Sequence, residues 1–356
     1  MGVVERQAPF LIETILQEKD MEFEVNRLLS PYLYNDILSS IKRTDFSAFT
    51  GKTVLITGAS KPLGYYLACA LLINNDLNSE GAKIIAVDSS DKLMEKFGKL
   101  TYRGDIDFVV TRDYSYLGGE RADIVIHTED ITELEPFTAS LNLLRFITSN
   151  RAKAAICVPC SVYGEVFNGR DTLSESDLFG YNDCADPEKS HIQYNRMLIT
   201  ETLKLAREKG FDVKVPIIAD VVSAFDCRYS ELLRAAALNK NIIAEQGDFP
   251  ASAIYVSDAA AAVVKALFTA KSGELINISA DYTLCEKELA KLLSNLYGDA
   301  AKVHYKGQEK SLSPMSKNLY VLDNTRLRRL GYIPDATAEA GVTRALNIIT
   351  EKGGEA

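Results

Sequence analysis

The run Thr57-Gly58-Ala59-Ser60-Lys61-Pro62-Leu63-Gly64 stands between a β-branched apolar segment, Thr53 to Thr57, and an apolar stretch at helical spacing, Leu63 to Ile73. In that strand, loop and helix order a dinucleotide pyrophosphate rests on a helix N-terminus, and glycines let the backbone come close to it. Asp88 ends the next apolar run, Lys83 to Asp88, and is placed to accept the ribose hydroxyls of an adenosine, which favours NAD over NADP. Asp113, just past the run Phe108 to Thr111, would receive the adenine amino group. The expected cofactor set is therefore Gly58, Ser60, Lys61, Leu63, Gly64, Asp88 and Asp113.

A second spacing with chemical potential is Cys157-Val158-Pro159-Cys160, the Cys-x-Pro-Cys form of thiol oxidoreductases. Such thiols are activated at a helix N-terminus, whereas these fall at the end of an apolar strand, where buried thiols are inert. Thiol chemistry at Cys157 and Cys160 stands as the weaker alternative. His191 and His304 have no partner at ligand spacing, so no zinc site is expected. Ser161 lacks the Gly-x-Ser-x-Gly elbow of a hydrolase nucleophile.

The elements that must hold these residues alternate. Strands are expected at Thr53 to Thr57, Lys83 to Asp88, Phe108 to Thr111, Asp123 to His127, Ala154 to Val158 and Val213 to Ile218, with helices Leu63 to Ile73, Phe137 to Thr148 and Gln193 to Lys209 between them. Continuous apolar strands alternating with helices mean a parallel sheet covered on both faces, hence a doubly wound α/β domain. Residues 1–50 read as a helical N-terminal extension, with Phe10, Leu11, Ile15, Phe23, Val25, Leu28 and Leu29 at helical spacing and a second helix from about Tyr32 to Ile41 after Ser30-Pro31. Such a stripe packs on its own domain more often than it waits for a partner. The Rossmann-type domain is expected over 51–222, with 254–278 returning to it, and a smaller α/β lobe over 223–253 and 279–356. In that lobe Thr283-Leu284-Cys285-Glu286 has capping-box spacing ahead of a helix carrying Leu289, Leu292, Leu293 and Leu296.

With 40 basic against 49 acidic side chains the formal charge is −9, so there is no cationic excess to hold nucleic acid or an anionic membrane. No apolar stretch approaches the ~20 residues of a spanning helix, and Arg6 stands where a myristoylation signal needs Ser or Thr. The six scattered cysteines, with no signal peptide before them, read as reduced thiols, and the expected compartment is the cytoplasm.

Further along the chain, Asp123-Ile124-Val125-Ile126-His127, Ser161-Val162-Tyr163-Gly164-Glu165, Ile254-Tyr255-Val256-Ser257-Asp258, Asn277-Ile278 and Leu322-Asp323 through Leu330-Gly331-Tyr332-Ile333-Pro334 occur in order. Together with the glycine loop they resemble the extended short-chain dehydrogenase/reductases, the NAD-dependent epimerase/dehydratase family acting on sugar nucleotides, over roughly Tyr32 to Ala345. The resemblance implies a Rossmann sheet with a substrate lobe, NAD as cofactor, a nucleotide sugar as ligand, and a dimer, either with a second copy or with an active paralogue. It also implies that His127 is structural and that Arg228 faces a substrate phosphate.

Where the chain departs from the family pattern, the chemistry is affected. The loop's middle glycine is Lys61, whose side chain either pairs with a phosphate or blocks the dinucleotide. The family's mechanism needs a Tyr, a Lys four residues later that lowers its pKa, and a Ser or Thr on the same substrate oxygen. Tyr194 holds the Tyr position, but Leu198 stands four residues on; the alternative register gives Gln193 and Met197. The Ser/Thr position is Pro159, beside Cys160 and Ser161. Arg196, two residues from Tyr194, points to another side of the helix. After the fourth strand a short loop, His127-Thr128-Glu129-Asp130, places two carboxylates where they would repel pyrophosphate, Pro136 falls near a family Asn, and Ala251 replaces an Arg. The expectation is an epimerase/dehydratase homologue without the standard Ser-Tyr-Lys set, binding a nucleotide or a partner; the alternative is an active enzyme using Tyr194.

Overall fold

The computed structural model describes residues 24–78, 80–164, 172–178, 190–245, 250–298, 302–306 and 321–353. The helical stripe from Phe10 to Phe23, together with Glu165 and Cys184, lies outside them.

The apolar runs form β1 (Thr53–Thr57), β2 (Lys83–Asp88), β3 (Ile106–Val110), β4 (Ile124–His127), β5 (Lys153–Ile156), β6 (Val158–Pro159) and β7 (Val213–Ile218). The chain continues through β8 (Asp220–Val222), β9 (Ile242–Glu245), β10 (Ala251–Tyr255), β11 (Leu275–Ile278), β12 (Thr283–Leu284) and β13 (Val303–Lys306). The main sheet is parallel throughout in the order β11-β7-β5-β4-β1-β2-β3, with β6 also on β7. Along β1 the reason is visible: Leu55 packs into one apolar cluster while Val54 and Ile56 pack into the other, so both faces are buried. Beside this sheet, β10 pairs with β8 and with the antiparallel β12, and β9 pairs with β13.

The helices that matter to the site are α1 (Pro31–Arg43), α2 (Pro62–Leu77), α3 (Leu134–Asn150), α4 (Ser190–Lys209), α5 (Val256–Thr269) and α6 (Glu286–Tyr297). Helix α1 begins with Pro31 at its first position, where a missing N–H costs nothing. Leu33 and Ile37 are buried in the larger core. Asp36 is buried with them and accepts the hydroxyls of Tyr66 at 2.8 Å and Tyr255 at 2.9 Å, with Arg344 3.9 Å away. Burial raises its carboxyl pKa.

Two sequence expectations change in more than their bounds. The run Ala154 to Val158 is split into β5 and β6: β5 pairs with both β4 and β7, and beyond Cys157, whose amide donates to His127 O, β6 pairs with β7 alone. The capping box before α6 is made by Cys285 and Glu288, not by Thr283 and Glu286. Thr283 is held extended against Ser252, so the helix cannot begin until Glu286.

Candidate functional site: a divided crevice at the switch point

The chain runs from β1 outward to β2 and β3, then returns to lay β4 on the other side of β1. At such a switch point the strand ends leave a crevice. It consists of two clefts of about 320 and 330 Å³. The first is walled by the start of α2, by Cys157 to Ser161, by Ile218 to Val221 and by Asp226 to Arg228. The second is walled by Ser89, Thr111, Arg112, Tyr114 and the start of α3. Lys61, Glu129 and Asp130 line both.

The glycine loop is shaped by close approach of the β4 loop. Gly58 has φ +67°, and a Cβ there would lie 2.8 Å from the Glu129 amide nitrogen. At Gly64 a Cβ would lie 2.3 Å from Gly58 O and 2.8 Å from Thr128 Oγ1. Thr128 closes the contact by donating its hydroxyl to Thr57 O at 2.8 Å. Ser60 N–H donates to Asp88 Oδ2 and Ser90 N–H to Asp88 Oδ1, each at 2.8 Å. Asp88 is thereby buried as a brace behind the glycine turn and lines neither cleft. Lys61 caps α2, with Pro62 following at the first helical position. Its ammonium lies 3.9 Å from Asp130, with both groups solvent-facing, so the pair is weak. Leu63 lines the first cleft.

Asp113 accepts from Ser115 N–H at 2.9 Å, from the Ser115 hydroxyl at 2.7 Å and from Asn142 at 2.8 Å, which hold its carboxyl below the usual range. It lines neither cleft. His127 is wholly buried, its Nδ1 2.6 Å from Thr57 Oγ1 and its Nε2 3.1 Å from Ser140 Oγ, and burial lowers its pKa to about 4. It is a neutral strut between β1, β4 and α3.

On α4, Tyr194 stacks on Phe137, ring centroids 5.4 Å apart, and is absent from the lining of both clefts. Leu198 is fully buried in the core on that face of the sheet. Pro159, Cys160 and Ser161 line the first cleft. Arg196 is used internally: its guanidinium donates to Val162 O at 2.8 Å and Tyr163 O at 3.0 Å, fastening α4 to the turn after β6. Tyr163 in turn donates to Asn277 Oδ1 at 2.7 Å. Arg228 does reach the first cleft, paired with Asp220.

Cys157 and Cys160 border the same cleft but are almost entirely covered, and burial pushes both thiols far above the ordinary cysteine range. Cys227, also on the cleft, is only half-buried. A maleimide at neutral pH is therefore expected to modify Cys227 before either Cys157 or Cys160 in the folded chain, read by peptide mass mapping. Faster labelling of Cys157 or Cys160 would reinstate thiol chemistry. Among the described residues no cluster of His, Cys, Asp and Glu could hold a metal ion, and no helix is long and apolar enough to cross a membrane.

Sequence reasoning singled out Glu129 and Asp130 for their charge but not Thr128, whose role depends on contacts across some 70 residues of chain. Only the immediate succession of His127 and a β-branched hydroxyl residue hinted at it.

No family model matches the chain, and no curated protein matches it in sequence. Solved structures do. A dTDP-glucose 4,6-dehydratase from Bacillus anthracis, in complex with NAD, superposes with a TM-score of 0.69 at 15% identity, covering 86% of this chain and 98% of that one. An epimerase from Methanothermobacter thermautotrophicus gives 0.69 at 17% identity over 90% and 96%. A UDP-glucuronic acid 4-epimerase from Bacillus cereus, in complex with UDP-glucuronic acid and NAD, gives 0.65 at 19% identity over 84% and 99%. The fold of this chain is that of the sugar-nucleotide epimerases and dehydratases.

Proposed function

We propose that the chain is a nucleotide-binding homologue of the NAD-dependent sugar-nucleotide epimerases and dehydratases that has given up their proton relay. The observation that carries this reading is the state of the three positions that match the family's Tyr, Lys and Ser: Tyr194 is stacked against Phe137 and lines neither cleft, Leu198 is sealed in the core, and Pro159 offers no hydroxyl to the first cleft. The crevice itself is retained, with Lys61 at the start of α2 as the phosphate partner and Arg228 on the substrate side. NAD or a nucleotide sugar is the ligand class, as in the neighbours solved with them. If the chain pairs, a second copy or an active paralogue would be the partner.

A second reading, an active enzyme using Tyr194, draws support from those same NAD-bound neighbours and from Arg228. The two separate in one experiment: calorimetry with NAD and with UDP- and dTDP-sugars, followed by a turnover assay on the same panel. Binding without turnover is expected. Turnover that Tyr194→Phe abolishes would overturn the first reading in favour of the second.

A further inference from the structure

The crevice is divided where Lys61, Glu129 and Asp130 line both clefts, and of these three Glu129 carries the buried carboxylate oxygen. Its side chain borders both clefts, and its backbone amide is pressed against Gly58, so the loop cannot recede without moving the glycine turn. Its Oε2 is buried and has no hydrogen-bond partner. A buried carboxylate oxygen without a donor is costly, and the cost disappears if the group carries its own proton and donates it. The groups facing it favour that state: Asp88 from the end of β2 and Asp130 from the same loop are acidic, Tyr114 from the turn after β3 is neutral, and Lys61 from the start of α2 is the opposing cation. Across the second cleft Arg112 is accompanied by Glu133 and Glu135.

We propose that Glu129 couples occupancy of the crevice to proton uptake: a nucleotide whose diphosphate passes from one cleft to the other is bound with Glu129 protonated, its O–H donated to a phosphate oxygen. Ionised Glu129 would face the phosphates as a like charge; protonated, it becomes a donor opposite Lys61. Burial, with Asp88 and Asp130 adding to it against Lys61, raises the carboxyl pKa to about 7 in the empty protein, so the exchange falls within the neutral range. The inference rests on the nucleotide-binding reading above.

NAD is the suitable probe, because its diphosphate has no group titrating between pH 6 and 9. Calorimetry of the full chain in two buffers of different ionisation enthalpy should show uptake of one proton per NAD at pH 9, with affinity falling about tenfold per pH unit above pH ~7. The Glu129→Gln variant should bind with no pH slope, and at pH 9 about 100-fold more tightly than the parent. Binding by the parent that is independent of pH, or the same slope in Glu129→Gln, would overturn the inference and leave the nucleotide-binding reading standing. If neither protein binds NAD or UDP-glucose at pH 6 while both melt cooperatively, the binding reading falls and takes the inference with it. A ligand-free control follows from the sign of the shift. A carboxyl raised from 4.5 to about 7 contributes stability that is complete below pH 4.5 and lost as pH rises through 7. The parent's Tm should fall over that window, and that of Glu129→Gln should fall less.

Discussion

Replacing Asp258 by alanine is expected to lower the unfolding free energy by about 3–5 kcal/mol, measured from the denaturant midpoint. The carboxylate is completely buried at the start of α5. It accepts the guanidinium of Arg43 on α1, the hydroxyl of Tyr332 at 3.1 Å, and the amides of Asp335 at 3.2 Å and Ala336 at 2.9 Å. Removing it strands a partly covered cation and leaves buried donors unpaired, which costs far more than a surface ion pair gives. Arg43→Met should cost less, about 1–3 kcal/mol, because the carboxylate keeps its other donors. A loss under ~1 kcal/mol for Asp258→Ala would mean that α1 is not fastened through this residue.

Gly64→Ala carries the second large effect, an expected net loss of about 1–3 kcal/mol together with loss of nucleotide binding. The backbone dihedral at Gly64 suits any residue, and alanine in a helix gains about 1 kcal/mol over glycine. The added methyl would nonetheless lie 2.3 Å from Gly58 O, which is backbone and cannot rotate away. Relief requires moving the glycine turn, and with it the Thr128 contact and the amide that braces Asp88. Gly104→Ala is the control, since a Cβ there has open space and should change stability by less than about 0.5 kcal/mol. Unchanged stability and binding in Gly64→Ala would show that the turn relaxes freely.

Much of the scaffold was legible because it is written in local pattern. β1, β2 and β7 have the bounds that their apolar runs give, and Pro31 and Pro62 mark helix starts through their fixed φ. Of the candidate site, Lys61, Leu63, Glu129, Pro159 and Arg228 do border one cleft, whereas Gly58, Ser60 and Gly64 line neither. The hydrogen-bond partners of Asp88, Asp113 and Arg196 were not legible, because which donors reach a carboxylate, or which carbonyls a guanidinium finds, depends on tertiary approach. Cys285 escaped notice as a helix cap because its sulfur is a weak acceptor that sequence rules do not favour there.

The triangle of Asp36, Tyr66 and Tyr255 bears on the heredity of the chain as well as its folding. These residues come from α1, α2 and β10, separated by 30 and 219 positions along the sequence, yet share one carboxylate oxygen. A chain trimmed to start at β1 would deprive both phenols of their acceptor. It would also bare the apolar surface that Leu33 and Ile37 cover. Descendants of this sequence should therefore change positions 36, 66 and 255 as a group, an apolar trio being acceptable where a lone aspartate or a lone pair of tyrosines is not.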